Sequence, residues 1–394
     1  MTAEIAAANN FPLIRLFTVG QGTQSRTPLS YLNTTEQPWA VASSASVATG
    51  GWNAFSAVCW FTYRDMFTAL GGTVPFGLIS NNWGGTPIEH WSSPDALAVC
   101  NAGTDSVLWN AMVNPYTLGG GMKMRTGIWY QGEANIGNAP GYDCKMTEMI
   151  RDWRAKLPGL NTFGIVQIAP CACYGVSPAS ADLRQSQLSP LRSLNNIAYA
   201  LTTDIVYPWS GPADIHPSYK QAVGARMAAQ ILTLEYEVEG LAWEFPMYQG
   251  ASTVTSGTAI SVTVNLKGCG EGCTVVDSPT TPPGVNSNQT ATWMIQTNDP
   301  SSTWWPATAQ PTVDGQSLIL SVTAPATGFS AIASSYGRNA YPLAAAFGKN
   351  GLPVAPWCYT LTGIPCYSVK GEEYTAEEVD AEKVAADMEF FAAH

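Results

Sequence analysis

The sequence predicts an α/β protein: a parallel sheet with helices on both faces, followed by a smaller antiparallel β unit. Two observations carry this. Over the first 235 or so residues, short apolar runs alternate with helical periodicity, the pattern of strands joined by crossover helices. Beyond about residue 240, Thr, Ser, Val, Gly and Pro dominate and helical periodicity disappears. The expected division is residues 1–238 as the α/β domain, 239–370 as the β-rich domain and 371–394 as an acidic tail. From Glu372 onward that tail carries eight acids against one lysine.

Ile14–Val19 opens the series as a strand. A helix is expected over 52–70, where Phe55, Val58, Cys59, Met66, Phe67 and Leu70 recur at roughly three-four spacing. Phe76–Ser80 is a buried strand bounded by Pro75 and Asn81, and Thr126–Tyr130 is another. A helix around Thr147–Lys156 follows, then strands at Phe163–Ile168 and Ile197–Leu201. Ser218–Leu232 reads as a helix after Pro217, with Val223, Met227 and Ile231 on one face. In the β-rich part, Thr258–Val264 and Ser317–Val322 alternate with period two.

Composition excludes several classes. The chain has 394 residues, enough for one large or two medium domains, and its 46% hydrophobic content builds a real core. A net charge of −11 leaves no basic surface to neutralise phosphates, so a nucleic-acid partner is not expected. No apolar run approaches the roughly 20 residues of a spanning helix, so no membrane role is expected. The N-terminus shows no basic segment followed by an apolar one, so no signal peptide is visible. Sequons occur at Asn33 and Asn288. Nine cysteines point to an oxidising compartment, with short-loop disulfides at Cys269–Cys273 and Cys358–Cys366. An odd count leaves at least one thiol unpaired. Cys171-Ala172-Cys173 is too tight for a usual zinc pair, and three histidines are too few; no metal or other cofactor is expected.

Three polar constellations follow strand ends, where ligands bind in open α/β sheets. Trp83-Gly84-Gly85-Thr86-Pro87-Ile88-Glu89 follows the strand ending at Ser80. Gln131-Gly132-Glu133-Ala134-Asn135 follows the one ending at Tyr130. Asp214-Ile215-His216-Pro217 follows the one containing Leu201. Serine-dependent ester hydrolysis needs a base for the hydroxyl proton and donors for the oxyanion. His216 is the best base: His394 is terminal, and His90 lies between Glu89 and Trp91. Asp214 or Glu133 would orient it. Gly85 offers an unhindered backbone N–H and Asn135 a side-chain amide for the oxyanion. Trp83 and Gln131 are candidate sugar contacts.

These segments, with Phe55-Ser56-Ala57-Val58-Cys59-Trp60-Phe61, Gly77-Leu78-Ile79-Ser80 and Gly351-Leu352-Pro353-Val354-Ala355-Pro356, resemble the sialate O-acetylesterase family of SGNH-type hydrolases. The likeness covers most of residues 10–368. It implies an SGNH-like, flavodoxin-like three-layer fold and release of acetate from O-acetylated sialic acids. It also implies a secreted or lysosomal glycoprotein without cofactor. Two departures stand out. The family's Gly-Gln-Ser-Asn-Met block, on a strand well before the equivalent of Ile14–Phe17, has no counterpart here; Ser25, in Gly20-Gln21-Gly22-Thr23-Gln24-Ser25, echoes it only faintly and falls after that strand. The wider pattern spaces acid and histidine as Asp-x-x-His, whereas this chain has Asp214-x-His216. Impaired activity of this chain is therefore expected, with neighbouring strands left with unpaired edges. The alternatives are an acetyl esterase on another polysaccharide such as xylan, and a carbohydrate-binding protein without catalysis.

Overall fold

A computed structural model describes residues 2–48, 55–206, 208, 210–276, 279, 281–285 and 292–368. The acidic stretch 371–394 and the Asn288 sequon lie outside them, and Asn33 is exposed. None of the helices described is long and apolar enough to cross a membrane.

The α/β part comprises α1 (Thr2–Ala7), β1 (Ile14–Val19), β2 (Thr35–Val41), α2 (Ser44–Ala48), α3 (Ala57–Ala69), β3 (Phe76–Ser80), α4 (Ile88–Trp91) and α5 (Pro94–Val99). It continues through β4 (Thr126–Tyr130), α6 (Ala139–Lys156), β5 (Thr162–Val166), α7 (Ala179–Ser186), β6 (Ile197–Ala200) and α8 (Lys220–Tyr236). Local chemistry sets several boundaries. Ser56 caps α3 by accepting from Cys59 N at 3.3 Å, and Ser93 caps α5 ahead of Pro94. The helix expected around Thr147 starts eight residues earlier, because Pro140 is tolerated in its first turn. The helix expected from Ser218 starts at Lys220, because the Ser218 N–H is given to Ser210 Oγ at 2.8 Å.

The parallel strands form two pieces. In one, of order β2-β1-β3, β1 runs parallel to β3 and antiparallel to β2. The other, β4-β5-β6, is wholly parallel. Among the described residues β3 and β4 each pair along one side only. All five residues of β5 are buried, as a central strand covered on both faces requires. Phe163 and Ile165 pack with Tyr142, Met146, Met149 and Ile150 of α6. Val166 packs on the other side with Val58 and Met66 of α3 and Val223, Met227 and Ile231 of α8. Fully burying one such side chain contributes about 1.5–3 kcal/mol. Two glycines permit the close approach. A Cβ at Gly164 would stand 2.5 Å from Met227 Sδ, and one at Gly224 would collide with Phe61, so α8 lies tight on both β5 and α3.

The β-rich part comprises β7 (Met247–Ser256), β8 (Ala259–Lys267), β9 (Cys273–Val275), β10 (Trp293–Thr297), β11 (Trp304–Pro306) and β12 (Thr308–Pro311). β13 (Ser317–Thr323), β14 (Ala331–Tyr336), β15 (Ala346–Gly348) and β16 (Trp357–Thr360) complete it. Two antiparallel sheets, β12-β13-β8-β7 and β11-β10-β14-β16, share one core. Ile260, Val262 and Val264 alternate inward from β8, Leu318 and Leu320 from β13, and Ile295, Tyr336 and Trp357 from the facing sheet. Cys269–Cys273 and Cys358–Cys366 are bonded as expected. Cys100–Cys144 and Cys171–Cys173 are two further disulfides that the sequence did not disclose. Cys59 is the free thiol, and burial pushes it up to about 12. Unfolding without reductant should therefore expose one reactive thiol per chain, at Cys59. Native protein should react slowly with a thiol reagent at neutral pH, because little thiolate is present. Three or more thiols on unfolding would refute the pairing.

Candidate active site

The three polar constellations follow the carboxyl ends of β3, β4 and β6; hydrogen bonds join the first to the second, and Lys220 relates the second to the third. After β3, Gly85 adopts φ +72°, a left-handed turn that glycine makes without strain, and is exposed. Trp83 is half-buried against the core, and its carbonyl accepts from Thr86 Oγ1 at 2.7 Å. Gln131, just beyond β4, ties the two loops together. Its Nε2 donates to Thr86 O at 3.0 Å and to Asn135 Oδ1 at 2.9 Å. Its Oε1 lies 3.1 Å from the Tyr142 hydroxyl, and its carbonyl accepts from Gln187 Nε2 at 2.8 Å.

Asn135 is buried at 6% exposure, and its carboxamide is mostly committed. Oδ1 accepts the Ile88 N–H at 2.9 Å as well as Gln131, while Nδ2 donates to Glu89 Oε2 at 2.9 Å. Glu89 in turn forms an ion pair with Lys145, which is 3% exposed. Burial raises the Glu89 carboxyl, but hydrogen bonds from Lys145 and Asn135 outweigh it, and the group is held below its ordinary value. Gln131 and Asn135 serve as braces that fix the Gly85 turn against β4.

His216 stands on the loop between β6 and α8. That loop is pinned at both ends. Arg226 of α8 is bidentate to Asp204, at 2.7 and 2.6 Å, and donates to Leu201 O at 2.7 Å. Ser210 Oγ holds the Ser218 N–H, as noted above. Asp214 Oδ1 accepts the backbone N–H of His216 at 2.9 Å, so its carboxylate fixes the loop beneath the imidazole. Glu133, half-buried after β4, is raised above its ordinary value, chiefly by burial, with Lys220 acting the other way.

Lys220 was not singled out in the sequence. Four residues beyond His216, it sits with Nζ 5.0 Å from the centre of the Tyr130 ring. Burial lowers its ammonium to about 8, against the pull of Glu133 and Asp214. Its position is legible only once the 216–220 turn is known to face the end of β4. Glu133, Asp214, His216 and Lys220 thus share one electrostatic neighbourhood. Burial, then Lys220, lower the His216 imidazole below its ordinary 6.5, opposed by Asp214. An imidazole that is neutral at neutral pH is ready to take a proton. Proton NMR titration should place His216 below 6.5, and Lys220→Met should move it upward. A midpoint at or above 6.5 in the unaltered chain would contradict this electrostatic arrangement.

Ser25 is half-buried and engaged locally. Its Oγ donates to Thr27 O at 2.6 Å and accepts the Thr27 N–H at 3.2 Å, and its backbone is tied to Val107 and Asn110. His90 pairs with Asp105 at 3.1 Å. Among the described residues no cluster suited to a metal ion occurs.

Fold and site together define an α/β protein with a glycine turn, braced amides and a histidine at the carboxyl ends of its strands. The model of the family "Carbohydrate esterase, sialic acid-specific acetylesterase" matches residues 18–233, and the chain belongs to this family. The sialate O-acetylesterase of Pongo abelii is 30% identical over 279 residues, covering 62% of this chain and 51% of that protein. The sialate O-acetylesterase of Homo sapiens is 29% identical with the same coverage. The chain therefore spans about half the length of these curated relatives. Among solved structures, a carbohydrate acetylesterase from Xanthomonas citri aligns with a TM-score of 0.72 at 28% identity, over 90% of this chain and 75% of that one.

Proposed function

We propose that this site serves serine-type hydrolysis of O-acetyl esters on sugars, with O-acetylated sialic acid as substrate. The observation that carries the reading is the neighbourhood shared by Glu133, Asp214, His216 and Lys220, with the Gly85 turn tied to the end of β4 through Gln131, in a chain of an acetylesterase family. His216 takes the proton from a serine hydroxyl and returns it to the sugar oxygen that leaves. Asp214 or Glu133 steadies the imidazolium. The Gly85 N–H and the second hydrogen of the Asn135 amide receive the oxyanion, while Trp83 and Gln131 border the sugar.

The serine is the part these residues do not supply, since Ser25 is spent on its own turn. In this reading a Gly-Gln-Ser segment runs between the unpaired edges of β3 and β4 and joins the two pieces into one SGNH-like sheet. Without it turnover is impaired. Four disulfides support a secreted or lysosomal setting.

The test compares the 394-residue chain with one carrying an upstream Gly-Gln-Ser-Asn-Met segment, by acetate release from 9-O-acetylated sialic acid and from acetylated xylan. The extended chain should be active and the other should retain little beyond residual catalysis of about 10³–10⁴ over water. Strong p-nitrophenyl acetate turnover by the 394-residue chain, abolished by Ser25→Ala, would overturn the placement of the nucleophile. A second reading, acetyl ester hydrolysis on a polysaccharide such as xylan, is favoured by the Xanthomonas relative, which is described by carbohydrate rather than by sialate. Activity on xylan alone would select it. Sugar binding with no turnover even in the extended chain would select a carbohydrate-binding protein.

A further inference from the structure

The segment that follows β5 carries a disulfide between residues two apart, Cys171–Cys173. Both half-cystines are buried, at 0% and 5% exposure. The constraint a disulfide places on the unfolded chain grows with the loop it closes, so a bridge around the single residue Ala172 adds little to overall stability. Its effect is local. It closes the turn Ala172–Tyr174, in which the Tyr174 N–H donates to Cys171 O at 3.2 Å.

The contacts of that turn lead to the candidate site. β5 lies between β4 and β6 in a parallel sheet, so the turn follows the same sheet end as the loops bearing Glu133 and His216. The Ala172 N–H donates to Pro212 O at 2.7 Å, four residues before His216. Cys171 and Cys173 pack with Tyr174, Ala340 and Ile215, the neighbour of His216, and Ile136, the neighbour of Asn135, packs against the same group. The Cys171 N–H donates to Ala340 O at 3.3 Å, which anchors the turn to the β-rich half. Asp214 and Ser210 brace the histidine loop from within. The disulfide turn braces it from the neighbouring strand.

We propose that the Cys171–Cys173 disulfide is a positioning element for His216: it sets the direction of the Ala172 N–H and the apolar seat of Ile215, and through them holds the imidazole beside Glu133 and Lys220. Its bearing on rate rests on the reading of His216 as the base; its bearing on placement does not.

The first test uses the 394-residue chain and needs no turnover. Cys171→Ala combined with Cys173→Ala removes the bridge. Proton NMR should then show the His216 midpoint, held below 6.5 in the unaltered chain, moving up towards 6.5 as burial and the Lys220 field are lost. The midpoint of His90, on α4 and paired with Asp105, should stay in place. Ile215→Ala empties the seat from the other side and should move His216 the same way. Added to the double change it should add little, because both act on one contact. Should the double variant fail to fold, Ile215→Ala carries the test alone. In the chain that carries the Gly-Gln-Ser-Asn-Met segment, loss of the bridge should lower kcat about 10²-fold, the effect of a catalytic group misplaced by about 1 Å, with KM little changed. An unmoved His216 midpoint would overturn the proposal. So would equal movement of His216 and His90, which marks a general loosening of the fold. A moved midpoint with kcat intact would uphold the positioning and remove His216 from the role of base.

Discussion

His216→Ala, made in the chain that carries the Gly-Gln-Ser-Asn-Met segment, should lower the rate of acetate release by about 10⁴–10⁶, the range seen when a triad base is removed. The effect should fall on kcat, because the imidazole moves a proton in the transition state and makes no ground-state contact that substrate affinity requires. Asn135→Ala should also act on kcat, with one oxyanion donor worth about 2.7–4 kcal/mol. Its brace to Ile88 and Glu89 is lost at the same time, so stability must be measured beside rate. Asp214→Asn is a cleaner probe. An asparagine oxygen can still accept the His216 N–H, which keeps the loop in place and removes only the charge. Compared with Glu133→Gln, it identifies the acid that supports the imidazolium. Equal rates with and without His216 would refute the assignment of the base.

Glu89→Ala should cost about 3–5 kcal/mol of folding stability, the penalty for stranding the buried ammonium of Lys145. Equilibrium unfolding in guanidinium chloride measures it. Pairing Glu89→Leu with Lys145→Met removes both charges, and that double variant should regain much of what the single change loses. If Glu89→Ala unfolds at the same denaturant concentration as the unaltered chain, the pair contributes nothing. The pH dependence has a definite sign. The Glu89 carboxyl is held below its ordinary value in the folded chain. Its stabilisation is therefore complete above the unfolded-state value and fades as pH falls through the lower folded-state value. The loss on acidification should be smaller in the variant than in the unaltered chain.

The parallel strands were plain in the sequence because each is a run of apolar residues between turn-formers, whereas β2, most of it exposed, was not. β1, β3 and β4 coincide with Ile14–Val19, Phe76–Ser80 and Thr126–Tyr130. The ends of α6 and α8 were not, since they depend on a proline tolerated in a first turn and on a serine that diverts an N–H. The strand-end positions of Gly85, Gln131, Asn135 and His216 were legible for the same reason as the strands. What those side chains touch was not. Glu89 and Lys145 stand 56 residues apart, and no local pattern announces that one will bury the other. Lys220 carries no mark until the loop folds it over Tyr130. The Cys100–Cys144 bond, 44 residues across, is hidden in the same way, whereas the two short-loop pairs were visible from spacing alone.

The change of texture near residue 240 is a boundary in composition, yet α7 is held from the far side of it. Asp182 is gripped by Arg338, the Arg184 guanidinium by the Asn339 carbonyl, and Gln185 by the backbone of Cys358, at 2.9 Å in both directions. A polypeptide ended at residue 238 would keep every candidate site residue named here but would strip Asp182, Arg184 and Gln185 of these contacts. The span 18–233 by which the family is recognised therefore leans on contacts from beyond it. A break after α8 should lower the stability of the α/β part, read as an earlier unfolding midpoint, even though every candidate site residue lies before the break.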